Sequence, residues 1–202
     1  RHVTRRGWLA LAFAIALLGA LQWARQRPLT HAPGMLVAEE PMQTPPRSSA
    51  PVELDGFTLR PRADYRIRAR VLSRADYGWD AGSALSPLDL ALGWRGMSDS
   101  AVLARLEITQ AARYYSYRWR GEPPLPPQDI VRSSANVHLS PADAAVARAL
   151  AGVRVGALVD LRGQLVAAQR ADGWQWRSSL TREDSGAGAC ELLLVREVDA
   201  GH

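Results

Sequence analysis

The feature that most limits this chain is an uncharged, largely apolar run from Trp8 to Ala24, set between arginines. Arg1, Arg5 and Arg6 precede it, Arg25 and Arg27 follow it, and no acid lies among the first 27 residues. A helix over this run rises ~25 Å, slightly short of a ~30 Å hydrocarbon core. Trp8 and Trp23 stand near its ends, where indole rings favour the membrane–water interface. The flanking arginines can snorkel to make up the shortfall. A cleaved secretory signal would need small residues ahead of its cut. Leu18 and Gln22 stand there for cuts after Ala20 and Ala24. The reading is therefore an uncleaved anchor over 1–27, holding the inner membrane through residues 8–24. The arginine count favours a cytoplasmic N-terminus, which puts the rest of the chain in the periplasm of a Gram-negative cell.

This division changes the meaning of the net charge of +5. All of it belongs to the N-terminal segment, because the 20 arginines beyond residue 27 face all 20 acidic residues. A neutral body is a poor polyanion binder, so nucleic acid ranks behind a protein partner. Cys190 is the only cysteine, which excludes an internal disulfide and a multi-cysteine zinc site. The histidines and carboxylates show no metal-ligand spacing, and no cofactor is expected.

Residues 28–52 carry Pro28, Pro33, Pro41, Pro45, Pro46 and Pro51. Proline fixes φ and removes a donor, so this stretch is expected to be an extended, unpacked tether. It could hold the domain several tens of Å from the bilayer at ~3 Å per residue. Residues 53–199 are then long enough for one α+β domain with its own core. Tyr65, Ile67, Ala69 and Val71 alternate with Arg66, Arg68 and Arg70, which predicts a half-buried strand. Arg62 and Arg74 extend the arginine stripe, expected as an exposed face offset by acids on neighbouring strands. Helices are expected to start at Ser86-Pro87, at Ser98 and at Ser140-Pro141, from hydroxyl caps, first-turn acids and prolines. Strands are expected over 113–120, with Tyr115, Tyr117 and Trp119 on one face, and over 135–139. The last quarter reads as strands over 153–169, 173–180 and 190–198, with Gly156 and Gly163 at bends. That pattern suits a curved, mostly antiparallel sheet with two or three short helices. The phrase Val153-Arg-Val-Gly-Ala-Leu-Val-Asp-Leu-Arg-Gly163 resembles the entry of an oligonucleotide-binding-type barrel.

Three segments could carry chemistry. His138 is the only histidine in the expected domain, and imidazole can take a proton from a hydroxyl or thiol. Ser134 and Asn136 share its strand face by alternation, and Cys190 is a possible thiol nucleophile. Against this stands a buried, hydrogen-bonded histidine and a cysteine used as a small apolar residue. The polar, glycine-containing segment around Arg182 and Asp184 could present N–H groups to an anion, or simply turn a hairpin. Trp119 and Arg120 belong to an aromatic–arginine run that can stack bases or sugars, or form an ordinary exposed sheet face.

Leu85-Ser-Pro-Leu-Asp-Leu-Ala-Leu-Gly-Trp94, Ser133-Ser-Ala-Asn-Val-His-Leu139 and the segment Trp174–Glu191 together resemble an uncharacterised group of bacterial single-pass membrane-anchored proteins. The resemblance spans the body and implies one domain behind an anchor. It carries over no activity and no catalytic residue. The leading expectation is a non-catalytic envelope domain that binds or helps assemble an envelope or membrane protein. The alternatives are a hydrolase or transferase using His138 with Ser134 or Cys190, and a polyanion binder using a barrel-like sheet.

Overall fold

A computed structural model describes residues 27–181 and 190–201, with Trp8, Ala12, Phe13 and Gly19 before them. Most of the expected anchor therefore lies outside the described residues. Among those described, no helix is long and apolar enough to cross a membrane.

The chain is an α+β domain dominated by one large, curved, mostly antiparallel sheet. Its strands are β1 (Met42–Thr44), β2 (Val52–Leu54), β3 (Phe57–Asp76), β4 (Leu88–Gly93), β7 (Ser134–Pro141), β8 (Leu158–Arg170), β9 (Gln175–Arg177) and β10 (Glu191–Gly201). A separate hairpin pairs β5 (Glu107–Ala111) with β6 (Tyr114–Arg118). Among the described residues there are three short α-helices, α1 (Ser100–Leu103), α2 (Pro127–Arg132) and α3 (Ala144–Ala151). β3 pairs with both β4 and β8, so the path β3-β4-β7-β10-β8 returns to β3. Every pairing on that path is antiparallel except β7 with β10.

Side-chain alternation explains how the curved sheet encloses a core. Ile67, Ala69 and Val71 of β3 point inward with Leu88, Leu90 and Leu92 of β4, Val137 and Leu139 of β7, and Leu193 and Val195 of β10. Val146 and Leu150 of α3 join the same core. The arginine stripe turns outward, and neighbouring acids neutralise much of it: Arg66 pairs with Asp160, Arg68 with Glu39 and Arg74 with Asp76. Arg70 departs from the expectation. It is buried, and it donates to the Ser98 carbonyl and to Ser100 Oγ. A second apolar cluster covers the outer side of β8 and β10, with Phe57, Leu59, Leu192 and Leu194 against Trp174 and Trp176.

Four further expectations are corrected. No helix starts at Ser86, because Leu88-Asp-Leu-Ala-Leu-Gly93 forms β4. Its period-two leucines fill the core, and the Ser86 hydroxyl donates toward Asp89 Oδ1 at 3.4 Å. Asp99, not Ser98, caps α1 by accepting from the Ala101 N–H. Ser98 is instead buried and accepts from the Leu36 and Val37 N–H groups. Asp143, not Ser140, caps α3 by accepting from Ala145 and Val146. The fourth concerns the tether. Residues 28–52 are largely extended, as their prolines require, but they pack on the domain. Leu29 donates its N–H to the Val155 carbonyl at 2.8 Å. Val37 is 2% exposed in the main core, and Met42–Thr44 adds an edge strand to β3. Sparse apolar residues between prolines conceal this docking.

Candidate functional site

The site lies on the outer face of β4 and β7, at the tip of the β5–β6 hairpin. Inward leucines leave Asp89 as the outward neighbour on β4, while Asn136 and His138 occupy that face of β7. The hairpin closes over them because Ile108, Tyr115, Tyr117 and Trp119 pack with Leu72, Ala91, Met97 and Ile130. Its tip is a two-residue turn, Ala112-Arg113, in which both residues are left-handed, φ 50° and 67°. Glycine normally fills such positions because it has no Cβ to strain, and asparagine because its short polar side chain can hydrogen-bond locally.

That strained turn aims Arg113 into the site. Its Nε and Nη2 bind both oxygens of Asp80 at 2.8 and 2.9 Å, a bidentate fork. Its Nη1 reaches Asp89 Oδ1 at 3.1 Å. The guanidinium carbon lies 4.0 Å from the Tyr77 ring centre and 5.3 Å from that of Trp176. The Arg113 backbone is held separately: its N–H donates to Tyr77 Oη, and its carbonyl accepts from Asn136 Nδ2, both at 3.1 Å. Gln110 Nε2 in turn donates to Asn136 Oδ1 at 2.6 Å. Hydrogen bonding from Arg113 holds the Asp80 carboxyl below its ordinary value. Burial raises the Tyr77 phenol.

Asp89 is fully buried and His138 is 2% exposed. Nδ1 of His138 stands 2.8 Å from Asp89 Oδ2. The Trp176 ring covers the imidazole, centroid to centroid 4.5 Å. A carboxylate behind an imidazole makes two of the three members of a nucleophilic triad, but neither Ser134 nor Cys190 supplies the third. Ser134 lies four residues along the same strand, ~13 Å away by strand rise. Its hydroxyl donates to the Ile130 carbonyl at 2.7 Å. Cys190 adjoins Asn136 rather than His138, because the register pairs Leu192 with His138. Its sulfur is 3.9 Å from Asn136 Nδ2 and from the Arg113 carbonyl.

Burial pushes the Cys190 thiol up to about 11 and the Tyr115 phenol up to about 12. Both groups favour their neutral forms more strongly when folded than when unfolded. Their contribution is therefore complete below the unfolded values and lost as pH rises through the folded ones. Stability should fall through the alkaline range from about pH 9 to 12. The folded protein at pH near 8 should also resist iodoacetamide, while the urea-unfolded chain should react freely. Rapid alkylation of the folded protein would contradict this assignment.

The remaining sequence candidates fall elsewhere. Arg182 and Asp184 lie outside the described residues. Trp119 stacks on Tyr117 at the base of the hairpin, 6.2 Å between centroids, with Arg120 exposed beside it. Arg105 and Arg118 line the same groove, well along the hairpin from Arg113. Among the described residues no group of three His, Cys, Asp or Glu side chains could hold a metal. Sequence reasoning does not find Tyr77, Asp80, Asp89, Arg113 or Trp176 as site residues. The available signal is Asp89 itself, a carboxylate inside the alternating apolar strand Leu88–Gly93. Comparison of the chain with protein-family models, curated sequences and solved structures gave no match.

Proposed function

We propose that this protein is a membrane-anchored, non-catalytic envelope domain that binds a protein partner through the surface around Arg113. The observation that carries the reading is Trp79, whose relative exposure is 101%, beside Asp80 in the loop that follows β3. Tyr114, 47% exposed, follows Arg113 at the hairpin tip. Large exposed aromatics around a buried anchor are typical of protein-binding surfaces. The polar groups beneath them are engaged with one another, which favours binding over turnover.

The strand organisation supports an OB-like barrel, built from the whole domain and not only from its C-terminal part as the sequence suggests. The barrel strands in chain order are β3, β4, β7, β8 and β10. Their third and fifth members are parallel neighbours, and a helix lies between the third and fourth. Barrels of that type bind ligands on the face of their second and third strands and the adjoining loops. In this chain the hairpin covers that face, and two carboxylates neutralise Arg113, so a polyanion is the weaker reading there. Fold alone assigns no ligand.

With the run 8–24 in the inner membrane, four residues separate Ala24 from Leu29, which is already hydrogen-bonded to the domain. The periplasmic domain then sits within ~17 Å of the lipid surface. Full-length protein should stay in the membrane fraction after alkaline carbonate extraction. It should show no His138-dependent turnover of ester, peptide or phosphodiester substrates. Turnover abolished by His138→Ala would overturn the non-catalytic reading, and release by carbonate would overturn the anchor.

A further inference from the structure

We propose that the Arg113 seat is a guanidinium-recognition site, filled by the protein's own arginine when free and by an arginine of its protein partner when bound. The inference rests on the binding reading above and adds the chemistry of the partner's anchor. Two carboxylates, Asp80 and Asp89, surround one guanidinium, so the vacated seat would carry excess negative charge. Asp80 offers a bidentate fork, and Tyr77 and Trp176 offer ring faces. Planarity, the fork and the aromatic faces together select arginine over lysine.

The seat is built to exchange its occupant. Tyr77 Oη and Asn136 hold the Arg113 backbone independently of its guanidinium, and apolar packing holds the hairpin. The side chain can therefore leave while the turn stays in place. Asp80 is 43% exposed at its side chain, so the seat opens to solvent on that side, next to Trp79. Beneath the guanidinium, Arg113 binds Oδ1 of Asp89 while Oδ2 stands 2.8 Å from the buried His138 Nδ1, so the floor of the seat is fixed in place. An incoming guanidinium, with five donors in the same fork geometry, can take over the bonds to Asp80 and Asp89 that Arg113 makes. Arginine at a left-handed turn position that glycine would occupy without strain marks the position as held for its side chain.

The test titrates N-acetyl-arginine amide into full-length protein and follows the melting temperature. With Arg113→Ala, the expected result is a saturable rise at roughly ten-fold lower concentration than with the lysine analogue. The uncharged citrulline analogue should have no effect. Wild type should respond to the same probe at concentrations at least about ten-fold higher, because Arg113 competes for the seat. If Arg113→Ala is unfolded without ligand, recovery of folded protein on adding the probe replaces the melting shift. The double variant Arg113→Ala/Asp89→Asn, which leaves no orphaned buried carboxylate, should bind more weakly through Asp80. An equal response to citrulline would overturn the proposal. So would a wild type unresponsive at every concentration, because Arg113 would then be a permanent latch. A positive titration with no protein crosslinked at Tyr114 would remove the partner reading while leaving the seat chemistry intact.

Discussion

Gly163→Ala is expected to destabilise the domain by about 3 kcal/mol or more, near the upper end of overpacking effects. A Cβ at this position would stand 1.9 Å from the Leu194 carbonyl oxygen and 2.9 Å from its carbon. These are backbone atoms, so no rotamer change relieves the clash. Gly163 sits between two partners, opposite Tyr65 on β3 and Val195 on β10. Moving away from Leu194 therefore strains the pairing with β3. The bulge between Val195 and Glu197 lies beside it, which already bends β10 at this point. Gly201→Ala is the matched control, because its Cβ would meet Leu158 only at 3.6 Å and beyond. It should stay within ~0.5 kcal/mol of wild type. Urea unfolding of the two variants checks the contrast. Equal midpoints would mean that β8 and β10 do not approach as described.

Arg113→Ala is expected to cost roughly 3 kcal/mol, the scale for leaving one member of a buried ion pair unpartnered. The loss concentrates at Asp89, which has no exposure and would keep the His138 imidazole as its ionisable neighbour. Asp80 can turn to water and should contribute little. Arg113→Lys should fall between alanine and wild type, because an ammonium restores charge but not the fork. Arg113→Gly separates side chain from backbone. It loses the same ion pairs but relieves the left-handed strain, so it should be about 1 kcal/mol less destabilising than alanine. Alanine and glycine variants of equal stability would show that the turn is not strained as described.

The sequence is most informative where alternation meets a core. Tyr65 to Val71 is legible as a strand because inward apolar residues and outward arginines keep a strict period of two. Tyr115, Tyr117 and Trp119 fall on one face for the same reason. Ser86-Pro87 misleads because local capping chemistry outweighs a weaker but longer signal, the alternating leucines of β4. The packing of the 28–52 segment is hidden because its contacts are set by distant partners. Ser98, Val155 and β3 receive it, and nothing local announces them. The hairpin tip carries no turn signature, since Ala112-Arg113 adopts a conformation usually left to asparagine and glycine. Sequence alone therefore cannot place Arg113 beside Asp89, and it sets His138 with Ser134 and Cys190 instead of with the acid it contacts. The orientation of that face depends on pairing between β4 and β7, which joins residues as far apart in the chain as Leu88 and Leu139.

Partner binding at this surface is tested most directly in living cells. A photo-crosslinking amino acid replaces Tyr114 in the full-length protein, and adducts are resolved after irradiation. The account predicts a discrete protein adduct that Trp79→Ala removes while leaving the melting temperature unchanged. The absence of any adduct, or an adduct indifferent to Trp79→Ala, would contradict it.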